Sequence, residues 1–423
     1  MEALTREAIF EKYSGTVTDW VSTDCPADVA RMVLARRGFG WNIPLLRAII
    51  HAPCLREDGS TISEPGYDER TGLLFLSQRF WPSIPENPSR NDARAALTVL
   101  NEPIAEMPFV SDMDRAGAYA LMMTAVLRPV LNSAPMFAVT APAAGTGKSL
   151  LVDVASILAT GHPAAVITPT RDEVELEKRL GAAALAGDSV ITIDNVSHPL
   201  ASDQLCQLLT QPEIQVRVLG KSENVKIPST ALICATGNNL SIVGDLVRRT
   251  ILVRMDAKVE RPDERDGFRF NPVDRALARR AELVVAALTI IRAYRLAGTP
   301  DRASPMGSFE DWSDHIRSAL IWLGAGDARG NVDEMRAEDP EKATLAEIMR
   351  ALPSIPFTVK DVRARCMVEP ELREALALFI DRTGAFNATR FAGYLRRHRD
   401  RIVEGRAIQK VGDSAGHGAT WAI

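Results

Sequence analysis

The residues with the clearest chemical content are Lys148 and Ser149, which close the run Pro142-Ala143-Ala144-Gly145-Thr146-Gly147-Lys148-Ser149. An apolar stretch, PMFAVTA, leads into this run, and a helix-like stretch, SLLVDVASILAT, leads out of it. A glycine-rich turn between strand and helix offers successive backbone N–H groups, and the positive end of the helix dipole, to an anion. A lysine at the helix start reaches the outer phosphates of a nucleoside triphosphate, and the hydroxyl after it reaches Mg²⁺. The run therefore predicts a nucleotide-binding loop made by Ala143, Ala144, Gly145, Thr146, Gly147, Lys148, Ser149 and Leu150, with Ser149 also a metal ligand. Pro142 stands where such loops commonly begin with glycine; its fixed φ is compatible with the end of a strand.

Two further apolar runs end in polar residues suited to the same chemistry. VITI runs into Asp194-Asn195, 46 residues after Lys148. A carboxylate at a strand's carboxyl tip holds Mg²⁺ through water, which makes Asp194 the expected metal partner. Asn195 occupies the position where many such enzymes carry the glutamate that polarises water, so the base is left open. ALICATGNNL places Asn238 a further 44 residues on, where an amide can orient the attacking water. Arg248 and Arg249, in GDLVRRT, are candidates for an arginine supplied to a neighbouring subunit's nucleotide.

Between the Asp194 and Asn238 runs, VRVL and NVKI bracket the polar tip GKSE, the pattern of a β-hairpin. Its tip would present Lys221 to a phosphate backbone, with Arg217 and Lys226 assisting. A second basic segment, residues 388 to 412, holds seven Lys or Arg against two acidic residues. Arg396, Arg397, Arg399 and Arg401 could meet phosphates of a duplex, which would position the chain without reading sequence.

These groups need a scaffold, and the apolar runs supply it. Residues 135 to 141, 164 to 168, 189 to 194 and 230 to 236 alternate with helical stretches, which predicts an α/β fold with an open parallel sheet flanked by helices. The divisions expected are a mixed α/β region over 1–110, a phosphate-loop core over 111–258, a helical domain over 259–344 including one long helix over 274 to 297, and a unit over 345–423. In that last unit, helices followed by two short strands have the order of a winged helix.

The 423 residues carry a net charge of −4, so a nucleic-acid contact must come from local patches. The five cysteines are dispersed and form no CxxC pair, which argues against a zinc site or a disulfide framework. No apolar run approaches a membrane span and no targeting segment is visible, so a cytoplasmic protein without membrane contact is expected.

PAAGTGKS, VITIDN, the VRVLGKSENVKI hairpin, ICATGNN and DLVRRT, in this order and spacing, resemble the ATPase module of superfamily 3 helicases of the AAA+ class, and especially the primase-helicase proteins of phages, prophages and plasmids. WNIPLLRAIIHAPCLREDGSTISEPGYDERTGLLF and FEDWSDHIRSALIWLG are similar to segments of the same group. The resemblance implies ATP and Mg²⁺ as cofactors and a ring of copies, usually six, around single-stranded DNA. It implies nucleotide binding at Lys148 and Ser149, Mg²⁺ at Asp194, a sensor at Asn238, a finger at Arg248 or Arg249 acting in trans, and DNA contact at Lys221. Fewer than 150 residues precede the loop and no run of catalytic carboxylates is seen there, so no primer synthesis is expected and a separate primase is a candidate partner. Duplex origin DNA is another. Two rival readings are an AAA+ remodeller or loader of another protein, and a replication initiator that binds ATP with little turnover.

Overall fold

The computed structural model describes residues 8–35, 44–217, 224–332, 340–414 and 418–423. In chain order, β1 (Phe10–Ser14) and β2 (Asp19–Thr23) form an exposed hairpin, followed by α1 (Ala27–Ala35). Short strands β3 (Ala48–Ile50), β4 (Cys54–Leu55), β5 (Thr61–Ile62), β6 (Gly66–Asp68) and β7 (Leu73–Phe75) precede α2 (Arg90–Asn101) and α3 (Asp112–Leu127).

The central sheet grows from strands that are apolar on both faces. These are β8 (Met136–Ala141), β9 (Ala165–Ile167), β10 (Val190–Ile193), β13 (Leu232–Asn238) and β14 (Thr250–Arg254). All neighbouring pairs are parallel, in the order β14-β8-β13-β10-β9. A parallel sheet has helices on both faces, which is why its strands lack the in-out alternation of a half-exposed sheet. The connections include α4 (Lys148–Thr160), α5 (Glu173–Ala186), α6 (Asp203–Thr210) and an antiparallel hairpin of β11 (Glu213–Arg217) with β12 (Asn224–Pro228). Helix α3 lies tightly on the sheet: a methyl group on Gly117 would come within 2.8 Å of Val253.

The stretch expected as one long helix is two. α7 (Pro272–Ala278) and α8 (Arg280–Leu296) are separated at Arg279, which leaves helical geometry at φ −109° and ψ 19°. The break turns Arg280 inward, where it donates to the carbonyls of Leu158 (3.2 Å), Ala159 (3.0 Å) and His51 (2.8 Å) and lies over the Trp81 ring. Arg280 thereby caps the C-terminal end of α4, the helix that starts at Lys148.

One buried cluster runs without interruption from Ile50 to Val332 and takes in β3, β4, β7, the central sheet, α8 and α9 (Ser318–Leu323). A second, separate cluster runs from Leu345 to Trp421. It is built by α10 (Pro340–Ala351), α11 (Val359–Cys366), α12 (Pro370–Ala375) and α13 (Ala388–Arg397), with β15 (Phe357–Thr358), β18 (Gln409–Ser414) and β19 (Gly418–Ala422). Those strands form an antiparallel sheet in the order β15-β19-β18, beside a small β16 (Ile402–Val403) and β17 (Arg406–Ala407) pair. No helix among the described residues is long and apolar enough to cross a membrane.

Candidate functional site

The site lies at the carboxyl edge of the central sheet, where the strand ends β8, β13 and β10 stand side by side. Beyond β8 the chain turns through Gly145 (φ 77°) and Gly147 (φ 94°), left-handed conformations that favour glycine. Gly147 is the N-cap of α4 and supplies no side-chain cap, so the first N–H groups of the helix are presented to the loop's concave side. The Thr146 hydroxyl donates to the Ala143 carbonyl at 3.0 Å and closes the loop. Pro142 is exposed just past the strand.

The Lys148 ammonium donates to the Ala143 carbonyl (3.0 Å), Thr146 Oγ1 (3.3 Å) and Asn238 Oδ1 (2.8 Å). Partial burial lowers its pKa, and the Asp194 charge opposes that fall. The Ser149 hydroxyl donates to Asp194 Oδ1 at 2.9 Å. Lys148, Ser149, Asp194 and Asn238 are thus brought into one connected group, while Ala143, Ala144 and Leu150 line the same turn.

Thr236 was not apparent from the sequence. Its hydroxyl donates to Asp194 Oδ1 at 2.5 Å and accepts from the Asn195 backbone N–H at 3.1 Å. It therefore fixes the carboxylate and the turn after it together. The available signal was parity, since Thr236 and Asn238 are two apart on one strand and share a face. Gly237 between them allows the close approach of the neighbouring chain: a methyl there would lie 2.4 Å from the Val196 carbonyl oxygen.

Asn195 sits at φ 60°. Asparagine tolerates this left-handed region far better than most residues with longer side chains. The position therefore has a backbone reason to be asparagine, and its neutral amide is no proton acceptor at ordinary pH.

Arg248 and Arg249 are not joined to this group. Both bind Asp245 within a short 3₁₀ turn, Arg249 at 2.8 Å and Arg248 bidentately. Burial works against the charged Asp245 carboxylate, yet the two guanidinium hydrogen bonds hold its pKa below the usual value. The side chain of Arg248 is 46% exposed and that of Arg249 only 11%. Of the two guanidinium groups, that of Arg248 is the one more open to solvent.

On the β11–β12 hairpin, Ile214 and Val216 turn inward, and Val216 packs against Gly181 of α5. Gln215 and Arg217 pair opposite Lys226 and Asn224, so Arg217 and Lys226 share the exposed face. Lys221 lies outside the described residues. Arg396, Arg397 and Arg399 are exposed on and just after α13, in the unit with its own core.

A cavity of about 370 Å³ opens beside the loop. Met107 and Pro108 contribute one wall, Gly147 and Leu150 the loop side, and Phe268 and Phe270 the remaining apolar surface. Arg265 lies over Phe268 at 4.9 Å, and Glu106, which also lines the cavity, pairs with Arg269 at 2.5 Å. Planar apolar walls ending at a phosphate cradle suit a nucleobase with its phosphates turned toward Lys148. This wall has no signal in the sequence, because FRF sits in a turn-rich stretch with no helical or strand period. The cradle, the Ser149–Asp194 oxygen pair and this cavity together fit ATP with Mg²⁺.

No family model matches the chain, and no curated protein matches it. Among solved structures, an A form apo structure of the NrS-1 C-terminal region is similar at 11% identity, covering 100% of this chain and 98% of that one, with a TM-score of 0.38. A Cytophaga hutchinsonii protein proposed to be an ATPase is similar at 12% identity over 58% of this chain and 86% of that one, with a TM-score of 0.30. Likenesses at this level leave the reading of the site to its own geometry.

Proposed function

We propose that this chain is an ATP-driven DNA translocase of the helicase type, working as a ring of copies, six in the simplest reading, with single-stranded DNA in the centre. The observation that carries the reading is the convergence of Lys148, Ser149, Asp194 and Asn238 around one phosphate cradle.

In this reading the N–H groups from Gly145 to Ser149 hold the β- and γ-phosphates, and Lys148 exchanges its internal partners for them. Ser149 and Asp194 would hold Mg²⁺, whose charge offsets that developing on the transferred phosphoryl group. Asn238 orients a water for in-line attack on the γ-phosphorus; the bond to the β-phosphate oxygen breaks, leaving ADP and phosphate. Arg248 of one copy reaches the nucleotide of the next. Arg217 and Lys226, on the outer face of the hairpin that carries Lys221, follow the phosphates of the strand. A primase encoded separately is a fitting partner, and the 345–423 unit reads as a winged helix.

One feature favours a second reading. Asn195 cannot act as a base, so the chain could bind ATP as a replication switch and turn it over slowly. Measuring ATP turnover by wild type and Lys148→Ala, with and without single-stranded DNA, and strand displacement on a fork separates the readings. Lys148-dependent, DNA-stimulated turnover with unwinding supports the motor. Turnover indifferent to DNA points to a protein remodeller, and tight binding without turnover to the switch.

A further inference from the structure

Helix α13 carries cations on both flanks of an exposed ridge. Phe391 and Leu395 fix its buried side in the second core. At about 100° per residue, the side opposite them is centred on Gly393, with Thr389 about 40° to one side of it and Arg397 about 40° to the other, all three exposed. Arg396 projects to one side of this ridge, and Arg390 and Arg397, two turns apart, to the other.

The surface around the helix agrees with that division. Arg396, Arg399 and Lys410 line a recess of about 700 Å³ against β19. Arg390 and Arg397 line another of about 430 Å³ beside Tyr394. Arg399 and Lys410 each hold an adjacent acid, Asp400 and Asp413. Arg390, Arg396 and Arg397 have no acidic partner among the described residues.

Two further observations point to a polyanion. Residues 340–423 hold 14 Lys or Arg against 10 Asp or Glu, whereas the rest of the chain holds 36 against 44. The attractive field is therefore local to this unit. Gly393 also has no internal reason to be glycine: a methyl placed on it would meet nothing within 4 Å. A helix-interior glycine is otherwise unfavourable, and its effect here is to leave the ridge bare.

We propose that α13 enters the major groove of a DNA duplex, with Arg396, Arg399 and Lys410 against one phosphate chain and Arg390 and Arg397 against the other. Gly393 then faces the base edges, with Thr389 beside it on the Arg396 flank. The major groove is about 12 Å wide, admits a helix, and has a phosphate chain on each side. A single strand has one such chain and would engage one flank. The inference rests on the second core and its own charge, independent of the ATP reading.

The test uses the full chain without nucleotide, titrated into a labelled DNA duplex of about two turns and into the corresponding single strand. Arg390→Glu with Arg397→Glu, and Arg396→Glu with Arg399→Glu, remove one flank each. Each double variant is expected to weaken duplex binding by tenfold or more while changing single-strand binding by less than threefold, roughly. Alanine replacements should lower the salt dependence of duplex binding by about one unit of slope per arginine. Gly393→Leu, whose side chain has room and favours the helix, should keep the melting temperature and lose about tenfold in duplex affinity, as one blocked base contact implies. Duplex binding that survives loss of either flank, or that falls in step with single-strand binding, overturns the proposal, and so does wild-type duplex affinity in Gly393→Leu. Lys148→Ala keeps duplex binding on this view, so a failure of the motor reading is distinguishable.

Discussion

The Lys148 ammonium lies 2.8 Å from the amide oxygen of Asn238, a residue 90 positions later in the chain. The contact ties the phosphate loop to the strand beside it. On the proposed reading, a γ-phosphate arriving at Lys148 would have to break or share this hydrogen bond, which would make Asn238 a direct register of nucleotide. Asn238→Ala is expected to leave ATP binding within a fewfold of wild type and to lower turnover by roughly 10²-fold, the scale of a lost positioning or proton-handling group. Equilibrium nucleotide binding beside steady-state hydrolysis checks this; loss of both in parallel would place Asn238 in binding alone.

Thr236 holds Asp194 through its hydroxyl. Thr236→Val keeps the shape and removes the hydrogen bond, so Mg²⁺ affinity should fall by about 10- to 100-fold, as for other residues that orient a metal ligand. Thr236→Ser should restore it. Magnesium titrations of hydrolysis at saturating ATP read the shift, and an unchanged magnesium midpoint in Thr236→Val rules the role out.

Arg248 and Arg249 share Asp245 but differ in exposure. Arg248→Ala should reduce turnover by about 10³-fold or more, the scale of a lost arginine finger, with little change in melting temperature. Arg249→Ala should mainly lower the melting temperature. Mixing Arg248→Ala subunits with Lys148→Ala subunits should recover part of the activity, because some interfaces then pair an intact loop with an intact arginine. No recovery would mean that Arg248 does not act across subunits.

His315 accepts a hydrogen bond from Arg295 at 3.2 Å, and burial first, then the Arg295 charge, lowers its pKa from 6.5 to about 4. The unfolded chain takes up a proton near pH 6.5 and the folded chain only near pH 4. Stability is therefore complete above that window and is lost as pH falls through it, by up to about 2 kcal/mol near pH 5. His315→Gln should flatten this limb of the melting temperature against pH. An equally steep limb in the variant would assign it to other groups.

Four of the five central strands were readable as short apolar runs, and the loop was readable because strand, glycine turn and helix are contiguous; β14 was not read as a strand, because its apolar residues follow directly on the polar GDLVRRT turn. The break at Arg279 was not, since 274 to 297 has an unbroken helical pattern. The helix is interrupted because Arg280 finds three carbonyls in the core, a tertiary gain that outweighs local propensity. The aromatic wall of Phe268 and Phe270 was equally silent, because it takes shape only where its loop meets Met107 and the phosphate turn.

By itself the sequence determined what is local: the glycine turn that sets Lys148 at a helix start, the apolar runs, and the basic character of residues 388 to 412. Only the tertiary structure decided that β13 inserts between β8 and β10, which places Asn238 against Lys148 and Thr236 against Asp194. Buried parallel strands all present the same apolar pattern, so their order follows from how the crossovers pack and not from any signal within a strand.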